Sequence, residues 1–245
     1  MCIRDRYRNG VKAGNQLRVH EKIKKLESVN NVEIYLKRRF KEAKSGIEIS
    51  NIEQLFSHDQ TLLLKGEAGA GKSSFAAKVV QQWAEGKLMK DITCFFMLGA
   101  GGDEKIPLFK LVWDKFVLAQ NWKLQDFENM FQLLQNLADE GKLAFIIDGL
   151  DELGAMTKQE LDSAERAAFH PSMEVNMKTL CAGILAKTIF PGSRVVATGR
   201  NTELINSDVL NNQGLMYELV ELSNSDRAQM VELMEQDPEE RRRVK

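Results

Sequence analysis

Gly66-Glu67-Ala68-Gly69-Ala70-Gly71-Lys72-Ser73 has the spacing G-x-x-x-x-G-K-[ST], and it follows the short apolar run Thr61-Leu62-Leu63-Leu64. Residues of these types at this spacing can cradle the phosphates of a nucleoside triphosphate. The glycines let backbone N–H groups turn inward, Lys72 can neutralise the β and γ phosphates, and the Ser73 hydroxyl can join the shell of Mg²⁺. Ser74 carries the phosphate-binding stretch into the next helical turn.

A second set of chemical groups stands at 148–152. Leu143-Ala144-Phe145-Ile146-Ile147 runs into Asp148-Gly149-Leu150-Asp151-Glu152, an apolar strand followed by clustered carboxylates. Asp148, at the strand terminus, is placed to hold Mg²⁺ directly or through water. Gly149 leaves room for backbone or phosphate to come close. Asp151 and Glu152 stand within reach of a water attacking the γ phosphate, and the sequence leaves open which of them orients it or whether they only cap the following turn. A third set is Thr198-Gly199-Arg200, at the end of the strand that begins at Arg194. If this strand lies between the loop strand and the Asp148 strand, Thr198 and Arg200 come near the γ phosphate and can report its presence.

These groups need rigid elements to hold them. Phe75, Ala76, Val79, Val80 and Trp83 recur at helical spacing and Gly86 supplies a stop, so Lys72 stands at the N-terminus of an amphipathic helix, where the dipole favours phosphate. A strand over 92–98, a glycine-rich turn over 99–102 and a helix over 107–118 opened by Pro107 follow. A helix with Phe127, Met130, Phe131, Leu134 and Leu137 on one face ends near Gly141. The chain then offers the 143–147 strand, a loosely patterned stretch over 154–173 read as a surface insertion, and a helix over 175–189. Pro191-Gly192 breaks that helix, and strands over 194–198 and 217–222 complete the alternation. Alternating strands and helices specify an α/β fold in three layers, with a parallel sheet between helices and ligands at the strands' carboxyl ends.

Composition narrows the possibilities. With 245 residues and a formal charge of −1 the chain can bury a large core and has no global pull toward nucleic acid or anionic membrane. Cys2, Cys94 and Cys181 lack metal-ligand spacing and suit reduced thiols, with Cys94 and Cys181 in the core. No apolar run approaches a membrane span and no leader is visible, so a cytoplasmic protein is expected. Between Met1 and Asn30 eight Lys or Arg face three acids. Residues 1–31 are therefore read as a basic linker, disordered or artefactual, with 32–222 as the nucleotide-binding domain. Residues 223–245 are read as the start of a truncated helical domain, because Asp237-Pro238-Glu239-Glu240 opens a new capped helix. Lys37-Arg38-Arg39 and Arg241-Arg242-Arg243 are solvated helix faces rather than nucleic-acid contacts, since no aromatic platform accompanies them.

In this order the three motifs resemble the NACHT nucleotide-binding domain of the signal-transduction ATPases with numerous domains, the group that includes NOD-like receptors. The resemblance is carried by 66–73, by Gln82-Trp83-Ala84-Glu85-Gly86-Lys87-Leu88, by Asp148-Gly149-Leu150-Asp151-Glu152-Leu153 and by Thr198-Gly199-Arg200. It extends to Val32-Glu33-Ile34-Tyr35-Leu36 and Ile52-Glu53-Gln54-Leu55-Phe56, which resemble the segment that passes the adenine. The resemblance implies a five-stranded parallel sheet in the order 5-1-4-3-2 and a slowly hydrolysing ATP/ADP switch with Mg²⁺. It also implies self-association in the ATP state and downstream winged-helix and repeat domains. None of His20, His58 and His170 matches the family's nucleotide-contacting winged-helix histidine. Gly199 stands where the family usually has Ser or Thr, and Asn201 where many relatives have Pro, so a more mobile sensor loop is expected.

Other readings remain. The chain could be a nucleotide-dependent assembly scaffold with negligible hydrolysis, or another phosphate-loop ATPase. A GTPase lacks support, because Thr157-Lys158-Gln159-Glu160, the string nearest to a guanine motif, has no Asp and follows the acidic strand too closely. No second substrate signature or arginine-rich lid suggests a metabolite kinase.

Overall fold

The computed structural model describes residues 39–49, 51–56, 61–99, 104–116, 124–200, 215–220 and 223–225. The basic segment 1–31, the lead-in at 32–36, Lys37, Arg38, His58, the glycines at 101 and 102, Asn201 and the run 226–245 lie outside the described residues.

In chain order the elements are β1 (Phe40–Glu42), β2 (Glu48–Ile49), α1 (Ile52–Leu55), β3 (Leu62–Lys65), α2 (Lys72–Ala84) and β4 (Cys94–Gly99). Next come β5 (Ile106–Pro107), α3 (Leu108–Phe116), α4 (Leu124–Asp139), β6 (Leu143–Asp148) and a 3₁₀ turn (Leu150–Leu153). The chain continues through α5 (Lys158–Phe169), β7 (Glu174–Val175), α6 (Met177–Leu185), β8 (Arg194–Gly199) and β9 (Leu215–Leu219). The main sheet has seven strands in the order β2-β1-β9-β3-β8-β6-β4. Its five parallel strands, numbered by their own sequence order, give 5-1-4-3-2, the expected arrangement. The sequence reading did not include β1 and β2, which add antiparallel to β9 at the edge.

Alternation along each strand divides the core between two faces. Leu62, Leu64, Phe95, Ala144, Ile146 and Val196 face α2 and α1, packing with Phe75, Val79, Val80 and Trp83. Leu63, Phe96, Leu98, Phe145, Ile147, Val195 and Ala197 face the layer of α3, α4, α5 and α6. Each fully buried aliphatic side chain contributes about 1.5–3 kcal/mol before entropy is counted, so a central strand such as β6, buried along its whole length, anchors whatever stands at its end. Polar tips within the core find partners. The Trp83 indole donates to the Ile92 carbonyl at 2.9 Å, and the buried Thr61 hydroxyl donates to the Leu185 carbonyl at 2.8 Å. Cys94 and Cys181 are both buried.

Two local expectations differ from the structure. Pro107 does not open the helix; it pairs with Glu174 in the small antiparallel β5–β7 ribbon, and α3 starts one residue later. Proline tolerates both places, because neither asks it for a backbone N–H. The stretch 154–173 is not a loose insertion. Thr157 caps α5 and Glu160 closes a capping box, so the string nearest to a guanine motif is a helix start. On the inner side of α5, Ala164 and Ala167 are fully buried. They fit because α6 presents Gly183, where an added Cβ would lie 2.9 Å from the Ala164 Cβ and 2.5 Å from Ile189 Cδ1.

The break at Pro191-Gly192 also has a steric cause. A Cβ on Gly192 would lie 2.1 Å from the Ala138 carbonyl oxygen, which belongs to the backbone and cannot turn aside. Gly192→Ala should therefore lower the urea midpoint by the equivalent of about 1–3 kcal/mol. Gly99→Ala, where an added Cβ meets nothing within 4 Å, should leave it nearly unchanged in the same titration.

Candidate functional site

The sheet register assembles the site. Lys65 is paired with Gly199, and Asp148 with Thr198, so β8 stands between the loop strand and the acidic strand. This meets the condition under which Thr198 and Arg200 approach a γ phosphate. The three strands end side by side, about 5 Å apart from neighbour to neighbour.

Beyond β3 the chain leaves the sheet in a tight turn, with the Ala70 N–H donating to the Glu67 carbonyl at 3.1 Å. Gly71 caps α2 at φ 87, a left-handed conformation that suits glycine, and its carbonyl accepts the Phe75 N–H at 2.8 Å. Glu67, Ala68 and Gly69 are exposed, while Lys72, Ser73 and Ser74 are half-buried at the helix start. The Lys72 ammonium donates to the carbonyls of Gly66 at 2.5 Å and Glu67 at 2.9 Å, so the loop is wrapped around its own cation. Burial pushes the Lys72 pKa below its usual value, and the charges of Asp151 and then Asp148 only partly offset this.

Asp148 is 6% exposed and takes a hydrogen bond at Oδ1 from the Thr198 hydroxyl, at 2.7 Å, with Thr198 itself fully buried. A buried carboxylate without donors would be costly, and this bond also fixes the direction of the carboxylate. Gly149 follows at φ 81 and donates its N–H to the Thr198 carbonyl at 3.1 Å, which starts the 3₁₀ turn. That turn delivers Asp151 to Arg200. Asp151 Oδ2 accepts from Arg200 Nε at 2.7 Å, and Oδ1 accepts from the Arg200 backbone N–H at 3.2 Å. Burial raises the Asp151 pKa, but the hydrogen bonds from Arg200 outweigh it and hold the carboxyl below the usual range.

All the residues singled out from the sequence thus gather at one end of the sheet. Two connections among them have no sequence signature. The Gly199 carbonyl accepts the Gly66 N–H at 3.3 Å and ties the sensor strand to the loop. The Asp151–Arg200 pair ties the sensor to the acidic turn. Gly199 lies in the ladder opposite Lys65, and Arg200 is held through both its backbone and its side chain. Asn201 falls outside the described residues. The donor set suits Mg²⁺: Ser73 and Asp148 offer hard oxygen ligands at the mouth of a loop already shaped around a cation. Among the described residues no group of three or more His, Cys, Asp or Glu could hold a metal ion.

Comparison with known proteins agrees with this geometry. The model of the NACHT domain family matches residues 60–238. NACHT, LRR and PYD domains-containing protein 5 of Mus musculus is 30% identical over 177 residues, covering 70% of this chain and 14% of that protein. NACHT, LRR and PYD domains-containing protein 1b allele 5 of Mus musculus is 29% identical over 170 residues, covering 65% of this chain and 13% of that protein. The chain thus spans a small part of the relatives it matches. A solved structure of C. elegans PCH-2 aligns over 88% of this chain and 45% of its own at 13% identity, with a TM-score of 0.37, below the level at which a shared topology follows. With its phosphate loop, acidic strand and sensor strand inside the matched region, the chain belongs to the NACHT domain family of nucleotide-binding P-loop NTPase domains.

Proposed function

We propose that the domain is an ATP-binding, slowly hydrolysing switch whose ADP or ATP state controls oligomerisation of a larger receptor of the innate-immune type. The observation that supports this reading is the register at the sheet's carboxyl edge, where the end of the loop strand at Lys65 is paired with Gly199 and Asp148 with Thr198. The cationic loop and the N-terminus of α2 favour a triphosphate. Ser73 and Asp148 would hold Mg²⁺, which would supply positive charge to offset that of the phosphates. Thr198 keeps Asp148 turned in one direction, and Arg200 meets charge on the γ phosphate. Asp151 or Glu152 orients a water for in-line attack on phosphorus.

Self-association through this domain, further winged-helix and repeat domains after a helical region starting at 223, and a cytoplasmic location belong to the same reading. The relatives are named for LRR and PYD domains in addition to NACHT, which supports a receptor of several domains. No helix among the described residues is long and apolar enough to cross a membrane.

Lys72→Ala should weaken ATP binding at least about 100-fold in an equilibrium titration, since it removes several charge-assisted hydrogen bonds to phosphate at once. ATP affinity unchanged in that variant would refute the site. Asp148→Asn should abolish most of the gain in ATP affinity on adding Mg²⁺ while leaving metal-free binding within about threefold. Equal Mg²⁺ dependence in the two proteins would remove Asp148 from the metal site.

A further inference from the structure

The three glycines of the phosphate loop answer to different causes. Gly69 and Gly71 have φ of 78 and 87, backbone that other residues avoid. Gly66 is not among the residues of positive φ, so its backbone would accept a side chain. What that side chain would meet is the stem of Lys72. An added Cβ would stand 3.4 Å from Lys72 Cδ, 3.4 Å from Leu219 Cβ and 3.5 Å from Ala70 Cβ, three carbons at ordinary contact distance. Strand β9 supplies one wall, because pairing Glu218 with Lys65 brings the next residue, Leu219, to the start of the loop. Gly66 and Leu219 are buried, and Ala70 packs against the core. The lysine stem therefore runs beside a buried apolar gap that one methyl group would fill.

The gap matters because of how the ammonium is occupied. An ammonium carries three N–H donors, and Lys72 gives two of them to the carbonyls of Gly66 and Glu67, at 2.5 Å and 2.9 Å. From this position the third donor can serve one phosphate. Serving the β and γ phosphates together requires the release of at least one carbonyl, and the stem must then shift.

We propose that the gap at Gly66 lets the Lys72 stem make this shift, and that Gly66 thereby determines the preference of the loop for ATP over ADP. This rests on the reading of the loop as an ATP site. ADP asks for one donor at its β phosphate, which the third N–H supplies with the stem where it stands. ATP asks for a second. A methyl at position 66 fills the gap, braces the stem and keeps both carbonyl bonds, so ATP loses one charge-assisted hydrogen bond and ADP loses none. Leu219 and Ala70 act through Lys72, as the walls that confine it.

The test uses equilibrium titrations of ATP and ADP with Mg²⁺, and urea midpoints measured without nucleotide, on the whole 245-residue chain. Gly66→Ala should weaken ATP binding about tenfold or more and leave ADP binding within about threefold. It should not lower the urea midpoint, because alanine at a compatible backbone position restricts the unfolded chain and meets no clash. Ala70→Gly removes one wall, and in the Gly66→Ala background it should bring ATP affinity back to within about threefold of the natural chain. In a Lys72→Ala background, Gly66→Ala should leave the ratio of ATP to ADP affinity unmoved.

A Gly66→Ala variant with an unchanged affinity ratio, or with a lowered urea midpoint, would overturn the inference. So would failure of Ala70→Gly to restore ATP binding, or a ratio that Gly66→Ala still shifts when Lys72 is absent. If ATP binds Lys72→Ala as well as it binds the natural chain, the underlying reading fails; if that control loses binding and Gly66→Ala leaves the ratio unmoved, this inference fails alone.

Discussion

The hydrogen bond from the Thr198 hydroxyl to Asp148, buried at the edge of the sheet, is the constraint around which the site is built. It requires β8 to lie directly beside β6 in a register that sets residue 198 against residue 148. Once that register is fixed, Gly199 is opposite Lys65, its carbonyl receives the Gly66 N–H, and Arg200 emerges where the acidic turn can reach it. A slip of one residue would turn Thr198 to the opposite face and leave a buried carboxylate without this donor, a loss of about 1–3 kcal/mol or more. Val195 and Ala197 pack into one face of the core and Val196 into the other, so the same slip would exchange two side chains for one on each side of the sheet. Core packing and site geometry therefore depend on one register.

The sequence made much of this legible because the strongest physical signals coincide with the chemistry. The apolar runs before Gly66 and Asp148 mark buried strands, and a buried strand ends abruptly, so the polar residues that follow stand at the sheet's edge. The order of the parallel strands followed from family resemblance, since composition and spacing do not dictate which strand lies beside which.

What escaped had weaker or misleading signals. β1 and β2 are short, and in β2 the pattern Glu48-Ile49 leaves neither side chain fully buried. The helix α5 buries alanines rather than large apolar residues, so its inner side does not stand out; its fit depends on Gly183 from a different helix, which local periodicity cannot reveal. The different surroundings of Asp151 and Glu152 were also beyond the sequence, because both are acids within one turn. Only the arrival of Arg200 from a strand that begins more than forty residues later distinguishes them.

The placement of β3 has a consequence for how the chain comes to be folded. Its two neighbours are β8 and β9, which pair Leu62 with Val196 and with Leu215. No strand made earlier in synthesis flanks it. At typical elongation rates of about 5–20 residues per second, the loop strand waits on the order of ten seconds for a partner to be translated. Meanwhile Leu62, Leu63 and Leu64 have no ladder, and the phosphate loop has no fixed start. Closing contacts across so long a separation is slow and exposes apolar surface, which gives this interval to chaperones. Nucleotide can gain its full site only after the sensor strand has been made, so its capture marks the completion of the domain rather than the beginning of its folding.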